Sequence, residues 1–335
     1  MRLISGRHLI VTLLVSAPVV ALFGVLVGPT QIAFGSIFSP EQYPQDWMIL
    51  REIRLPRVVL TAMIGAVLAI SGAILQGLFR NPLADPSLIG VTAGASVGAS
   101  FAILVGAGLV GSSLGGLSVT ALGAFLGGTL AVWLVYQLST GPRGTSVSTM
   151  LLIGIAVTVL AAALNNLMNF LAENEMLRRM SLWQMGNLDL ASWNRVKLCF
   201  LMFVVFVLLL RGQAANLNVL LLGESEARHL GINVDAMKKR LVLLTALGVG
   251  VCTALAGTIA FVGLIVPHIV RLIAGPDHRT LLFASGLMGA TLLVIADMLA
   301  KVVLSPAELP VGIITAFLGV PFFVYLLVHQ RRTDA

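Results

Sequence analysis

The chain has 335 residues, 58% of them hydrophobic and only 10% charged, where a soluble domain carries about 25% charged residues. A soluble fold is excluded on that ground, and the bilayer becomes the solvent. The formal net charge of +7 does not indicate nucleic acid, because the basic residues neither gather on one face nor alternate with aromatics; they punctuate apolar runs, as charges at the ends of membrane helices do.

The first apolar run, Leu9 to Val27, follows Arg2 and Arg7. Secretory signals share that order, but the run is long enough to cross a bilayer and is expected to stay as an uncleaved first helix. Charge-poor windows then predict spans at about 9–29, 58–79, 88–109, 114–138, 147–171, 193–210, 241–260, 262–273, 281–300 and 311–328. The expectation is an all-α integral membrane protein of about ten transmembrane helices, forming a single polytopic domain over 1–335. The sixth span has an uncharged core of 13 residues, Leu198 to Leu210, so Arg195 and Lys197 must reach back to the headgroups. The eighth carries Pro267 and His268 and is expected to be broken or partly re-entrant, a backbone tolerated at membrane depth only where protein covers it. Cys199 and Cys252 lie inside apolar runs, lack metal-ligand spacing and read as packing residues.

Ten spans return both termini to one side. If that side is the cytoplasm, the inside holds Arg2, Arg7, Arg80, Arg143, Arg211, Arg228, Lys238, Lys239, Arg240, Arg271, Arg279, Arg331 and Arg332, and the outside Arg51, Arg54, Arg57, Arg178, Arg179, Arg195, Lys197 and Lys301. The excess inside favours cytoplasmic termini. Residues 60–74 can also be laid on 245–259, placing Gly65, Ala69, Gly72 and Ile74 on Gly250, Ala254, Gly257 and Ile259. The two segments run in opposite directions, as in inverted repeats; small residues at such spacing serve equally for close helix packing.

Several polar segments interrupt the spans. REIRLPR (51–57) puts three arginines at the outer end of the second span, with Lys301 beside a second outer loop; this is either a basic docking surface that steers an acidic partner or a set of side chains snorkelling to lipid phosphates. RNPLADPSLIG (80–90) is a turn fixed by Pro82 and Pro86, with Asn81 and Asp85 as acceptors for freed backbone groups. Within the polar stretch 211–240, LLGESEARHLGI (221–232) predicts a short amphipathic helix stopped by Gly231, either a partner contact or a solvated connection. Asp297 and Lys301, four apart, can pair on one helix face or form part of a proton relay. Asn165, Asn166 and Asn169 either line a wet passage or bond between helices. The sequence contains no GxxxxGK[ST] phosphate loop and no HExxH motif, so no catalytic residues and no metal site are expected, and an ATP-driven role requires a separate motor. An ion-coupled secondary transporter is the alternative, with Asp297 as its coupling group.

The strings IRLPR (53–57), SGAILQGLFRNPLADPSLIGVTAGAS (71–96), LGESEARHLG (222–231), AFVGLIVPHIVRLIAGPDHR (260–279), GATLLVIADMLAK (289–301) and AELPVGIITAFLGVPFFVYLL (307–327) resemble, in order and spacing, the FecCD-type permease family of bacterial ATP-binding-cassette importers for iron-siderophores, haem and vitamin B12. The resemblance implies a multi-pass permease of the bacterial inner membrane that works by alternating access. Its partners would be a second permease copy, as homodimer or paralogue heterodimer, two cytoplasmic ATPase subunits and one periplasmic substrate-binding protein. ATP and Mg belong to the ATPase subunits, and no cofactor is bound by this chain. Carried over residue by residue, Arg54, Arg57 and Lys301 would meet the binding protein. Gly223, Glu224, Glu226, Ala227, Arg228, Leu230 and Gly231 would couple to the ATPase. Asn81 and Leu83 would form an inner gate with Val147 and Ser148, although the loop GPRGTSVST departs from the hydroxyl-rich family pattern and has Val147 where threonine occurs. The segment LRRMSLWQMGNL, within 172–195, resembles the haem-importing branch more than the vitamin B12 branch, and Arg178 or Arg179 would attract haem propionates or siderophore carboxylates, or else bracket a surface helix.

Overall fold

The computed structural model describes residues 5–30, 32–37, 39–106, 113–114, 117–142 and 144–333. Arg2 and Arg143 lie outside the described residues, as do the side chains of Arg331 and Arg332. Helix α1 (Gly6–Leu26) is followed by a 3-10 turn (Phe34–Ile37) and by α2 (Pro44–Ile49), which passes through a π-helical segment (Leu50–Arg54) into α3 (Leu55–Leu78). A second 3-10 turn (Pro86–Ile89) precedes α4 (Val91–Val105) and α5 (Val119–Ser139). A short hairpin pairs Thr140–Gly141 with Gly144–Thr145 ahead of α6 (Val147–Leu171). There follow α7 (Asn174–Gln184), α8 (Trp193–Leu210), α9 (Gln213–Leu220), α10 (Glu224–His229), α11 (Val234–Ala256), α12 (Val262–Ala274), α13 (His278–Val302) and α14 (Val311–Thr333).

Among the described residues seven helices are long and apolar enough to cross a membrane, and three shorter apolar ones, α4, α12 and the first part of α14, bring the number to the expected ten. The predicted windows fall on these helices. The difference at the eighth span has a local cause. Helix α12 runs through Pro267 without interruption, and the irregular backbone lies before it, where Gly257 and Phe261 both take positive φ, +71° and +68°. At the sixth span Arg195 does not reach to headgroups; its guanidinium donates to the Leu255 carbonyl at 3.1 Å, at the end of α11. Below, the end of the bundle bearing α10 is termed inner and the end bearing α7 outer.

Helix α3 is the axis of the fold. It is buried along nearly its whole length against α13, α12, α11, α8 and α1. Without a hydrophobic driving force inside lipid, close approach depends on small residues. A Cβ on Gly65 would lie 2.3 Å from the Gly289 carbonyl oxygen, and one on Gly72 would lie 1.8 Å from that of Gly263. The glycines aligned with these two act otherwise: Gly250 has room for a side chain beside Phe125, and Gly257 ends α11 against the Trp183 carbonyl. Close backbone approach therefore accounts for Gly65, Gly72 and Gly257 but not for Gly250. Replacing Gly72 with alanine forces α3 and α12 apart, and a stability loss of about 3 kcal/mol, typical of the upper range for overpacking, is expected in thermal unfolding of the solubilised protein.

Helices α1, α5, α6 and α14 keep apolar side chains on the outside, among them Leu22, Leu130, Leu152, Val159, Phe170, Phe317 and Val324. These are the faces left to lipid or to another chain.

Candidate functional site

At the outer end, Pro56 cannot donate a backbone hydrogen bond, and the helix ahead of it is wound as a π turn in which the Leu55 N–H bonds the Leu50 carbonyl. Such turns re-aim side chains. Here Arg54 swings onto the end of α1, donating to the carbonyls of Val25 (3.2 Å), Leu26 (2.5 Å) and Thr30 and to Thr30 Oγ1. Gly28 makes room for its guanidinium, since a Cβ there would lie 2.7 Å from Nη2.

Arg57 turns the other way. Its Nε and Nη2 donate to Asp297 Oδ1 at 3.0 and 2.8 Å, and Nη1 reaches Glu308 Oε2 at 2.6 Å and Asp189 Oδ1 at 3.2 Å. Lys301 Nζ meets the other Asp297 oxygen at 2.6 Å. Asp297 is 1% exposed and Lys301 3%. The structure thus brings Arg57 and Lys301 together, seals both, and gives Arg54 a separate buried seat. The three basic residues expected at an exposed outer rim are thus buried here: Asp189, Asp297 and Glu308 hold Arg57, Asp297 also holds Lys301, and backbone carbonyls at the end of α1 hold Arg54. The Asp297–Lys301 pair is confirmed, with Arg57 as a third member.

The inner end holds the segments expected to couple and to gate. Gly223 (φ +120°) and Gly231 (φ +83°) bracket α10, the second as the glycine stop expected from sequence. Glu224 Oε1 lies 2.7 Å from Lys238 Nζ, on the first turns of α11. The same ammonium donates to the Thr145 carbonyl at 2.9 Å, in the hairpin two residues before α6. Lys238 is 3% exposed. Beside it, Arg228 pairs with Asp235 at 2.9 Å in a half-exposed bridge, and Asp235 Oδ1 packs on Gly144, where a Cβ would lie 2.4 Å away. Helix α10 is therefore joined through one buried lysine to the entrance of α6. Ala227 is buried, and Glu226 and Leu230 remain exposed.

Asn81 Oδ1 accepts from the Leu83 N–H at 2.9 Å, and Asp85 Oδ1 from Ser87 at 2.9 Å, so the turn between α3 and α4 is held as the sequence suggested. Leu83 and Pro82 close against Leu264, Ile265, His268, Phe322 and Phe323, leaving a crevice too tight for a water molecule. His268 meets Phe322 edge to face, ring centroids 6.5 Å apart. Among the described residues no hydrogen bond or ion pair joins Asn81 or Leu83 to Val147 or Ser148, which open α6 on the far side of the hairpin. What brings the two segments together is Gly154 of α6, where a Cβ would lie 1.9 Å from the Leu88 carbonyl.

The model of the FecCD transport family matches residues 13–329 of this chain. The chain belongs to that family. As a FecCD permease it is a membrane subunit of an ATP-binding-cassette importer. The hemin transport system permease protein HmuU of Yersinia pestis is 38% identical over 98% of each chain. The cobalamin import system permease protein BtuC of Halobacterium salinarum is 44% identical over 84% of this chain and 73% of that protein. Among solved structures, a metal-chelate type ABC transporter in an inward-facing conformation superposes with a TM-score of 0.86 at 30% identity, covering 96% of this chain and 99% of the other.

In this FecCD permease the segment 174–184 forms the surface helix α7, with Arg178 and Arg179 both exposed. Arg179 lines an outer pocket of about 240 Å3 together with Arg195, Trp183, Asn187 and Thr120; Arg178 does not. Asn165 bonds between helices, accepting from Ser100 Oγ at 2.7 Å and donating to Ser96 Oγ at 2.8 Å across to α4, whereas Asn166 is exposed. Asp189, Glu308 and Lys238 were not singled out from the sequence. The first two sit in loops far along the chain from Arg57, and Lys238 hides in the run KKR, whose charges read simply as positive-inside.

Proposed function

We propose that this permease carries haem from a periplasmic binding protein across the bacterial inner membrane, as one of two copies driven by two cytoplasmic ATPase subunits that dock on α10. The observation that carries the substrate is the outer helix α7, whose LRRMSLWQMGNL segment leaves Arg178 and Arg179 exposed at the outer end, with Arg179 lining the outer pocket. Guanidinium groups at such a site attract propionate carboxylates, and the full-length similarity to the Yersinia pestis hemin permease supports the same reading. On this reading the α10 end and both termini are cytoplasmic. Closure of the ATPase subunits shifts α10, the outer side opens to the binding protein, and cargo moves inward when the turn at Asn81 and Leu83 and the start of α6 at Val147 and Ser148 give way. With Arg57 and Lys301 sealed around Asp297, the binding protein engages these two, together with Arg54, only as the outer end opens.

The 44% identity to the archaeal cobalamin permease favours cobalamin as the second reading. Uptake of radiolabelled ligand into proteoliposomes containing the full complex decides between them. ATP-dependent accumulation of haem in preference to cobalamin and a ferric siderophore is the expected result; accumulation of cobalamin reverses the assignment, and uptake on an ion gradient without ATP refutes the import mechanism.

A further inference from the structure

Helices α3, α8 and α13 leave between them a groove of about 750 Å3. The small residues Ala62, Ala66, Gly286 and Ala290 line it, together with Phe203 and Phe283. Along α13 it runs from His278 to Ala290, roughly 18 Å at 1.5 Å per residue. That is slightly more than half of a hydrocarbon core about 30 Å thick, so the groove covers one leaflet from headgroup level to the midplane.

Its inner end is cationic. Arg211 closes α8, and Arg279 lies in the first turn of α13; both line the groove and both are exposed. Among the described residues neither guanidinium forms an ion pair. Asp277, which caps α13, accepts instead from Asn218 Nδ2 at 2.6 Å and from the Arg279 backbone N–H at 3.1 Å. Its carboxyl is held below the usual range chiefly by the Asn218 hydrogen bond, with Arg279 adding to it. A cation in the first turn of a helix is opposed by the helix dipole, which favours an anion there. Two unpaired arginines at the headgroup end of an apolar groove are the arrangement by which basic pockets between helices take a lipid phosphate.

We propose that this groove is a binding site for one anionic phospholipid, its acyl chains between α3, α8 and α13 and its phosphate between Arg211 and Arg279. The inference requires only that the chain spans a bilayer, and stands whatever the cargo. The test is native mass spectrometry of the full-length protein released from bilayers of equal phosphatidylglycerol and phosphatidylethanolamine. The wild type is expected to retain phosphatidylglycerol selectively. The double substitution Arg211→Gln/Arg279→Gln is expected to lower that retention at least about tenfold, and Ala290→Phe, which blocks the midplane end, to lower retention of both lipids with the arginines intact. Equal retention of the two lipids by the wild type overturns the proposal, as does an unchanged preference in the double variant. Disulfide formation between two copies carrying Phe283→Cys also overturns it, since a second chain would then cover the groove.

Discussion

Replacing Asp297 with asparagine destabilises the protein by about 3–5 kcal/mol, the loss expected when one partner of a buried ion pair is removed and the others stay charged. Asp297 is the shared anion of the outer cluster: one oxygen takes two N–H donors of Arg57, and the other faces Lys301. Without its charge, Arg57 keeps Glu308 and Asp189, but Lys301 loses its ion-pair partner in a position 3% exposed to solvent. The isosteric amide cannot replace it, because an ammonium has only donors and an asparagine offers one oxygen. Thermal unfolding in detergent measures the effect. The companion substitution Asp297→Asn/Lys301→Met should recover a large share of the loss, since replacing a buried charge pair by apolar groups is often neutral. An unchanged melting temperature in the single variant would show that the cluster is wet and weakly coupled.

The same cluster shows which parts of the molecule a sequence can reveal. The ten spans were legible because lipid leaves the backbone few choices and marks every exit with a charge. The Asp297–Lys301 pair was legible because a spacing of four puts two side chains on one helix face. Arg57 was visible as a charge but not as a member of that pair, because its partners lie 240 and 251 residues along the chain and only the packing of α3 on α13 brings them within reach. The result reverses its apparent exposure: a residue read as a rim charge is sealed inside. At the inner end, α10 could be read from its glycine stop and amphipathic composition, but Lys238 could not, since burial separates it from Lys239 and Arg240 only once α11 has packed against the hairpin.

Lys238→Met is expected to uncouple ATP hydrolysis from uptake. On the reading of α10 as the ATPase contact, force arriving at Glu224 has a direct polar route onward: Glu224 Oε1 to Lys238 Nζ at 2.7 Å, then to the Thr145 carbonyl at 2.9 Å, and from the hairpin into the first turn of α6 with Val147 and Ser148. The parallel Arg228–Asp235 bridge is half exposed, and bridges of that kind contribute little. Methionine fills the volume of the lysine stem but makes neither bond, so α10 and the hairpin would move independently. Ligand taken up per ATP hydrolysed should then fall on the order of tenfold, within the 1–3 kcal/mol range of couplings between distant sites, while ATP hydrolysis by the reconstituted complex persists. Lys238→Arg, which keeps the charge and two donors, should restore most of the ratio, and Asp235→Asn should leave it nearly intact. A purely structural lysine gives a different pattern, with hydrolysis and uptake dropping together as assembly fails and their ratio unchanged, because the only thing lost would be the number of folded complexes.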